Sequence, residues 1–235
     1  MTRAYLTFLF TATFVLSPLF TSPFSGFRED QLPIPQIEPP IQPAGYAFAI
    51  WGLIYGWLVF SAVFGVVRRG KDPSWDVMRG PLIVSLAWGT PWLWVANQSA
   101  IWATVLIFAM AIPAIIATIR APSFDAGWAR WPVSIYAGWL SAASFVSLGS
   151  TAAGYGVWFD QTGWAIAGIL SVLLLASVVQ RMVPNAPGYG LTVIWALMGI
   201  IVANGFGTLI GPLAIGGIIG MAYTLWTTRD AWTPA

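Results

Sequence analysis

The 235-residue sequence contains no cysteine and no histidine. These two absences exclude the usual zinc, haem-histidine, iron–sulfur and thiol chemistries, and with them the catalytic groups built on histidine. The sequence also lacks a complete phosphate-binding loop motif, in which Ser or Thr must directly follow Gly-Lys. We therefore predict that the protein is not an enzyme and requires no cofactor.

Charged residues are scarce, at 8% against 58% hydrophobic residues, which is too few to cover a soluble surface of this size. A membrane span needs about 20 mostly apolar residues. The uncharged runs predict an all-α, polytopic membrane bundle of eight helices, at about residues 5–21, 46–67, 81–96, 100–119, 132–152, 162–180, 190–206 and 208–226. No charged residue lies in these spans, which argues against a proton relay or an ion-coupled transporter.

The distribution of Lys and Arg predicts the orientation of the helices. With eight spans, nine of the ten basic residues fall on the side that holds both termini. They are Arg3, Arg68, Arg69, Lys71, Arg79, Arg120, Arg130, Arg181 and Arg229, whereas Arg28 lies on the other side. Basic residues mark cytoplasmic loops. We expect an integral protein of a bacterial inner membrane with cytoplasmic termini, and nothing in the formal charge of +2 indicates nucleic-acid binding.

Aromatic residues are abundant, with 15 Trp, 14 Phe and 7 Tyr. Aromatics at helical spacing are usually core residues, but three such faces could also converge on a flat apolar ligand. We predict that these faces form a ligand-binding pocket. The predicted ligand-binding residues are Phe48, Trp51 and Tyr55 on the second helix, Trp88 and Trp92 on the third, and Tyr136 and Trp139 on the fifth.

Residues 21–45 contain six prolines and form the longest segment between predicted spans. Fixed φ angles favour an extended path, and loops of this length often act as lids. A passive linker is the alternative. The predicted lid residues are Pro39, Pro40, Pro43 and Tyr46.

Small residues four apart predict close contacts between membrane helices. Gly52 and Gly56 form such a pair on the second helix, and Gly138 and Ala142 form one on the fifth. The eighth helix carries Gly207, Gly211, Gly216 and Gly220, so we expect it to be tightly packed.

Three motifs resemble those of the translocator-protein family, also called tryptophan-rich sensory proteins. They are Pro43, Tyr46, Phe48, Trp51 and Tyr55; Trp88-Gly-Thr-Pro91-Trp92; and Pro132, Tyr136 and Trp139. The family's asparagines in helices three and five have no counterparts, and Ser85 and Ser147 lie near those places. The resemblance implies a five-helix core at residues 1–152, and residues 153–235 would add three further transmembrane helices.

The resemblance also implies a receptor or carrier that binds porphyrins and other tetrapyrroles or sterol-like lipids and, in bacteria, regulates pigment synthesis. We expect a ligand that is a tetrapyrrole, a carotenoid or a sterol-like lipid, next to membrane lipids. The expected protein assembly is a homodimer or a larger membrane complex. The alternative is a structural or assembly subunit of such a complex, for example a photosynthetic one. Inward-pointing tryptophans would favour the receptor, and a flat outward seam the subunit.

Overall fold

The computed structural model describes residues 1–232, and this part of the chain folds into eight α-helices without any strand. The helices are α1 (Thr2–Leu16), α2 (Ile50–Val67), α3 (Pro73–Ala96), α4 (Ala100–Arg120), α5 (Arg130–Gly154), α6 (Gln161–Met182), α7 (Pro187–Asn204) and α8 (Ile210–Thr227). The prediction of an all-α bundle with eight helices is confirmed.

Seven of these helices are long and apolar enough to cross a membrane, and α3 is the exception. Helix α3 begins at Pro73 and not near residue 81, because the Asp72 side chain accepts a hydrogen bond from the Ser74 backbone N–H (2.9 Å) and caps the helix. Its first two turns therefore include Asp76 and Arg79. Both charged residues lie before residue 81, so the helix extends further toward the N-terminus than the uncharged span predicted at 81–96.

The buried charge in α3 is fully paired. Arg79 is only 1% exposed. Its guanidinium donates to Asp76 (2.6 Å) and to the backbone carbonyls of Gly65 (2.8 Å) and Arg69 (2.9 Å). A buried guanidinium is tolerated when its donors are satisfied in this way. The contacts join the end of α2 to the start of α3.

Helix α5 lies at the centre of the bundle, against α2, α4, α6 and α7. Gly138 permits the closest approach, since a Cβ at this position would lie 2.5 Å from the backbone oxygen of Tyr189 on α7. The Tyr189 hydroxyl then donates to Ser141 on α5 (2.7 Å). The small residue at 138 therefore makes the helix contact that its spacing predicts.

Other glycines at helical spacing make no contact with a neighbouring helix in the part of the chain that the structure describes. A Cβ added at Gly52 or Gly56 on α2, or at Gly216 or Gly220 on α8, would meet nothing within 4 Å among residues 1–232. The predicted contact at Gly52 and Gly56, and the tight packing of this face of α8, are therefore wrong for the described part of the chain. These glycines lie on the outside of the bundle.

Residues 17–49 cross one end of the bundle, and we call them the cover segment. They contain short 3-10 turns at Ser17–Phe20, Glu29–Gln31 and Gly45–Ala49. The side chain of Gln31 donates to the backbone oxygen of Ala96 (2.8 Å), and the backbone N–H of Ile34 donates to the oxygen of Gly154 (2.9 Å). The cover segment is thus fixed to the ends of α3 and α5.

Candidate ligand-binding cavity

An apolar cavity of about 290 Å³ lies beneath the cover segment. Every helix from α1 to α7 contributes to its walls, and α5, α6 and α7 contribute the most residues. Ligand pockets typically measure about 300–1,000 Å³ and are mostly apolar, with a few polar groups. This cavity lies at the lower end of that range.

The face predicted on the second helix forms one wall. Trp51 and Tyr55 stack with ring centroids 5.3 Å apart. Trp139 of α5 meets Trp51 edge-on at 6.2 Å and Phe48 edge-on at 5.8 Å. The structure therefore brings Phe48, Trp51, Tyr55 and Trp139 together, and all four line the cavity.

Phe14 of α1 completes this wall and was not identified from the sequence. Its ring contacts Trp51 (5.9 Å) and Tyr55 (5.3 Å) edge-on. A Cβ at Gly89 would lie 2.8 Å from the Phe14 ring, so the glycine of the Trp88-Gly-Thr-Pro91-Trp92 motif makes room for it. A lone phenylalanine in an apolar span has no local feature that could have revealed this role.

The two tryptophans predicted on α3 lie in different environments. Trp92 is 7% exposed, lines the cavity, donates to the backbone oxygen of Ala103 (3.0 Å) and meets Phe24 of the cover segment edge-on. Trp88 is 48% exposed and is not part of the cavity wall. Trp88 and Trp92 do not point in the same direction from α3, and the cavity lies on the side to which Trp92 points.

Tyr136 also lies away from the cavity wall. It is fully buried, its hydroxyl bonds to that of Ser85 (2.9 Å), and Ser85 donates to the backbone oxygen of Met110 (2.8 Å). The ring of Tyr136 supports Phe14 from behind at 5.7 Å. Tyr136 and Ser85 thus join α3, α4 and α5 beside the cavity.

Of the four predicted lid residues, Pro43 alone lines the cavity. The oxygen of Pro40 accepts a hydrogen bond from the Asn204 side chain of α7 (2.8 Å). Tyr46 is an exposed residue that packs edge-on against Trp195 of α7 (5.5 Å). Pro39 lies outside the cavity, in a second hollow described below.

The cover segment is held by apolar side chains that press against glycines of the bundle. A Cβ at Gly154 would lie 2.7 Å from Leu32, and one at Gly199 would lie 2.7 Å from Pro43. Ile41 lies between α5 and α6 and occupies the space of a side chain at Gly149 and at Gly168. These close approaches need glycine, so α5, α6 and α7 are shaped to receive the segment.

Helices α6 and α7 contribute a large part of the cavity wall, which the predicted boundary at residue 152 left outside the site. The contributing residues are Gly168, Ile169, Val172, Val193, Ala196, Leu197 and Ile200. Such small and aliphatic residues are typical of any membrane span, so the sequence alone did not distinguish them.

Four cavity-lining residues carry polar groups that have no hydrogen-bond partner among residues 1–232. They are the indole N–H groups of Trp51 and Trp139 and the hydroxyls of Tyr55 and Ser150. Ser147 also lines the cavity, but its hydroxyl bonds to that of Thr104 (2.8 Å). All four unpartnered groups can donate, so the cavity suits an apolar ligand with an acceptor.

Residues 1–232 contain no cluster of three or more acidic, histidine or cysteine side chains that could hold a metal ion. The chemistry of the cavity is therefore that of rings, aliphatic groups and a few donors.

Comparison with known families adds a finding about the whole bundle. The family model described as TSPO-like protein matches residues 4–227, and so includes α6, α7 and α8 as well as the helices that carry the resemblance noted above. Neither the curated proteins nor the solved structures gave a match. Because the family model covers nearly all of the chain, the protein belongs to the TSPO-like family.

Proposed function

We propose that this membrane protein is a receptor or carrier that binds one compact, ring-containing apolar ligand in the cavity beneath the cover segment. Tetrapyrroles and sterol-like lipids are the candidate classes, and control of pigment metabolism is the role that would follow from a tetrapyrrole. The proposal is binding without catalysis, because the walls offer rings, aliphatic groups and neutral donors only.

The observation that supports the proposal is the inward orientation of the aromatic side chains. Phe14, Trp51, Tyr55 and Trp139 contact one another around a space that no side chain of the described chain fills. Aromatic rings at such spacing stack on planar ligands. The flat outward seam expected of an assembly subunit would need these same tryptophans on the surface.

The size of the cavity narrows the ligand. At about 290 Å³ the cavity suits a molecule of a few fused rings. A whole macrocycle or a long carotenoid would fit only after the cover segment has moved outward. We therefore expect small ring compounds to bind faster than porphyrins.

Quenching of tryptophan fluorescence in detergent tests the proposal, with a porphyrin ester and a two-ring aromatic alcohol as ligands. Stacking on one aromatic ring contributes about 1–3 kcal/mol where it has been measured with bases, so Trp51→Ala and Trp139→Ala should each weaken binding about ten- to a hundredfold. The matched control is Trp94→Ala, since Trp94 is 61% exposed on the outside of α3. Equal affinities in all three variants would contradict a cavity site.

A further inference from the structure

A second hollow of about 550 Å³ lies on the bundle end that the cover segment crosses. We call it the loop hollow. It is formed by residues 25–30 and 36–39 together with Gln42, so two stretches of the cover segment face each other across it. The loop hollow is wide and polar, whereas the cavity below it is apolar.

The charges of the loop hollow are mainly negative. Glu29, Asp30 and Glu38 contribute three carboxylates, and Arg28 is the one basic residue in the wall. Arg28 pairs with Asp30 (2.9 Å) and also donates to the backbone oxygen of Asn97 (3.0 Å). Glu29 and Glu38 therefore give the hollow a net negative charge.

Gln36 adds an acceptor that lacks a donor. This residue is only 5% exposed, and its side-chain N–H group donates to the backbone oxygen of Ile34 (3.1 Å). Its side-chain oxygen has no partner among the described residues. Buried polar atoms are normally hydrogen-bonded, so an unpartnered acceptor in the wall of a hollow indicates a place for a donor from outside the chain.

The loop hollow and the cavity are adjacent, because Gly26, Phe27 and Gln42 belong to the walls of both. The Gln42 side chain donates to the backbone oxygen of Ser25 (2.9 Å) and so joins the two stretches of the cover segment between the two spaces. Gly26 has a φ of 137°, and a Cβ there would lie 2.5 Å from the Gln42 side-chain oxygen. Gln42 therefore lies between the two spaces and holds the two stretches of the cover segment together there.

The geometry points to the loop hollow as the entrance of the cavity for apolar ring compounds that carry a hydrogen-bond-donating cation, such as an ammonium group. This inference rests on the proposed binding function and narrows its ligand class. The ring would pass Gln42 into the aromatic cavity, and the cation would remain beside Glu29, Glu38 and the Gln36 oxygen. A carboxylate on the same ring would be repelled.

Three probes of equal size separate charge from ring binding: naphthylmethylamine, naphthylmethanol and naphthoate. Their affinities are measured by calorimetry in an uncharged detergent at neutral pH. Two exposed carboxylates should favour the amine over naphthoate by about threefold to tenfold. Glu29→Gln combined with Glu38→Gln should remove this preference and leave the affinity of the alcohol unchanged. Asp230→Asn, on an exposed side chain near the C-terminus, is the matched control.

The outcomes distinguish the entrance from the cavity. If none of the probes binds, the proposed function itself fails. If the alcohol binds but wild-type protein does not distinguish the amine from naphthoate, the cavity stands and the inference about the loop hollow is overturned.

The route has its own test. Gln42→Ala removes the hydrogen bond to Ser25 and should raise both the association and the dissociation rate of naphthylmethanol in stopped-flow fluorescence. Gln98→Ala, an exposed glutamine at the same end of the bundle, is the control. Unchanged rates in Gln42→Ala would mean that ligands reach the cavity from the bilayer, which would overturn the route.

Discussion

Asp125 is a single carboxylate that joins the ends of three helices. It lies between α4 and α5 and accepts hydrogen bonds from Arg69 after α2 (2.7 Å) and from the Trp75 indole of α3 (2.9 Å). The hydrogen bond from Arg69 lowers the pKa of Asp125, partial burial opposes this change, and the bond from Trp75 adds to it. The folded protein therefore favours the charged form.

Because the pKa of Asp125 is lower in the folded than in the unfolded state, its contribution to stability is present above the unfolded value of about 3.9 and is lost as the pH falls through the folded value. We predict that Asp125→Asn lowers the thermal midpoint at neutral pH, and that the difference from wild type shrinks below about pH 4. Scanning calorimetry or thermal fluorescence in detergent measures this.

Asp30→Asn is the comparison variant, because Asp30 and Arg28 form a pair with both side chains exposed, and such pairs contribute little to stability. Its midpoint should remain close to that of wild type. A difference between Asp125→Asn and wild type that stays constant down to pH 3 would show that the ion pair is not its cause.

At the residue scale, the sequence predicted aromatic faces better than their orientation. Helical spacing grouped Phe48, Trp51 and Tyr55 correctly, because the 3-10 turn that carries Phe48 leads directly into α2, which carries Trp51 and Tyr55, and all three residues line the cavity. Spacing could not separate Trp88 from Trp92, since which side of α3 faces the cavity depends on α1 and on the cover segment. Those contacts come from residues far apart in the chain, and no local pattern encodes them.

At the scale of helices, α7 holds the cover segment in place, a role that its apolar sequence does not indicate. The backbone N–H of Ala44 donates to the oxygen of Gly199 (3.0 Å), and the Trp195 indole donates to the oxygen of Ala47 (2.9 Å). Helix α7 therefore holds the cover segment where it enters α2. The sequence predicted α7 as a membrane span but not this contact. Every residue has a backbone carbonyl, so residue types do not show which carbonyl accepts a hydrogen bond.

We predict that Gly199→Leu releases the cover segment. Even the first atom of a new side chain would lie 2.7 Å from Pro43 and 2.9 Å from Ala47. Hydrogen exchange of the amides at residues 39–49 should become faster, and the affinity for cavity ligands should fall. Mass spectrometry of peptic fragments measures the exchange.

Gly220→Leu is the matched control, since a Cβ at this exposed glycine of α8 meets nothing within 4 Å. It introduces the same side chain into a membrane helix and should leave exchange at residues 39–49 unchanged. Equal acceleration in both variants would mean that general destabilisation, and not the contact with Pro43, is measured.

For the whole molecule, the helix order and the charge pattern together predict the topology. The start of α1 and the end of α8 lie at one end of the bundle, and the cover segment and the turn at 97–99 lie at the other. Because the chain has no cysteine, single cysteines can be introduced at exposed Ser74, Gln98 and Thr162 without a background reaction. An impermeant maleimide added to intact cells should label positions 98 and 162, and label 74 only after permeabilisation.

Labelling of position 74 together with position 98 would place both ends of α3 on one side of the membrane. That result would contradict the predicted crossing of α3, the helix whose Asp76 and Arg79 set it apart from the other seven.

The glycines that hold the cover segment also set the order in which the site is assembled during synthesis. Chains fold as they are made, from the N-terminus onward. The cover segment is translated before Gly154, Gly168 and Gly199, against which its side chains pack. A nascent chain that stops short of α7 thus has all the rings of the aromatic wall but no closed cavity. Under the proposed function, a ligand could therefore bind only after the first seven helices had been inserted.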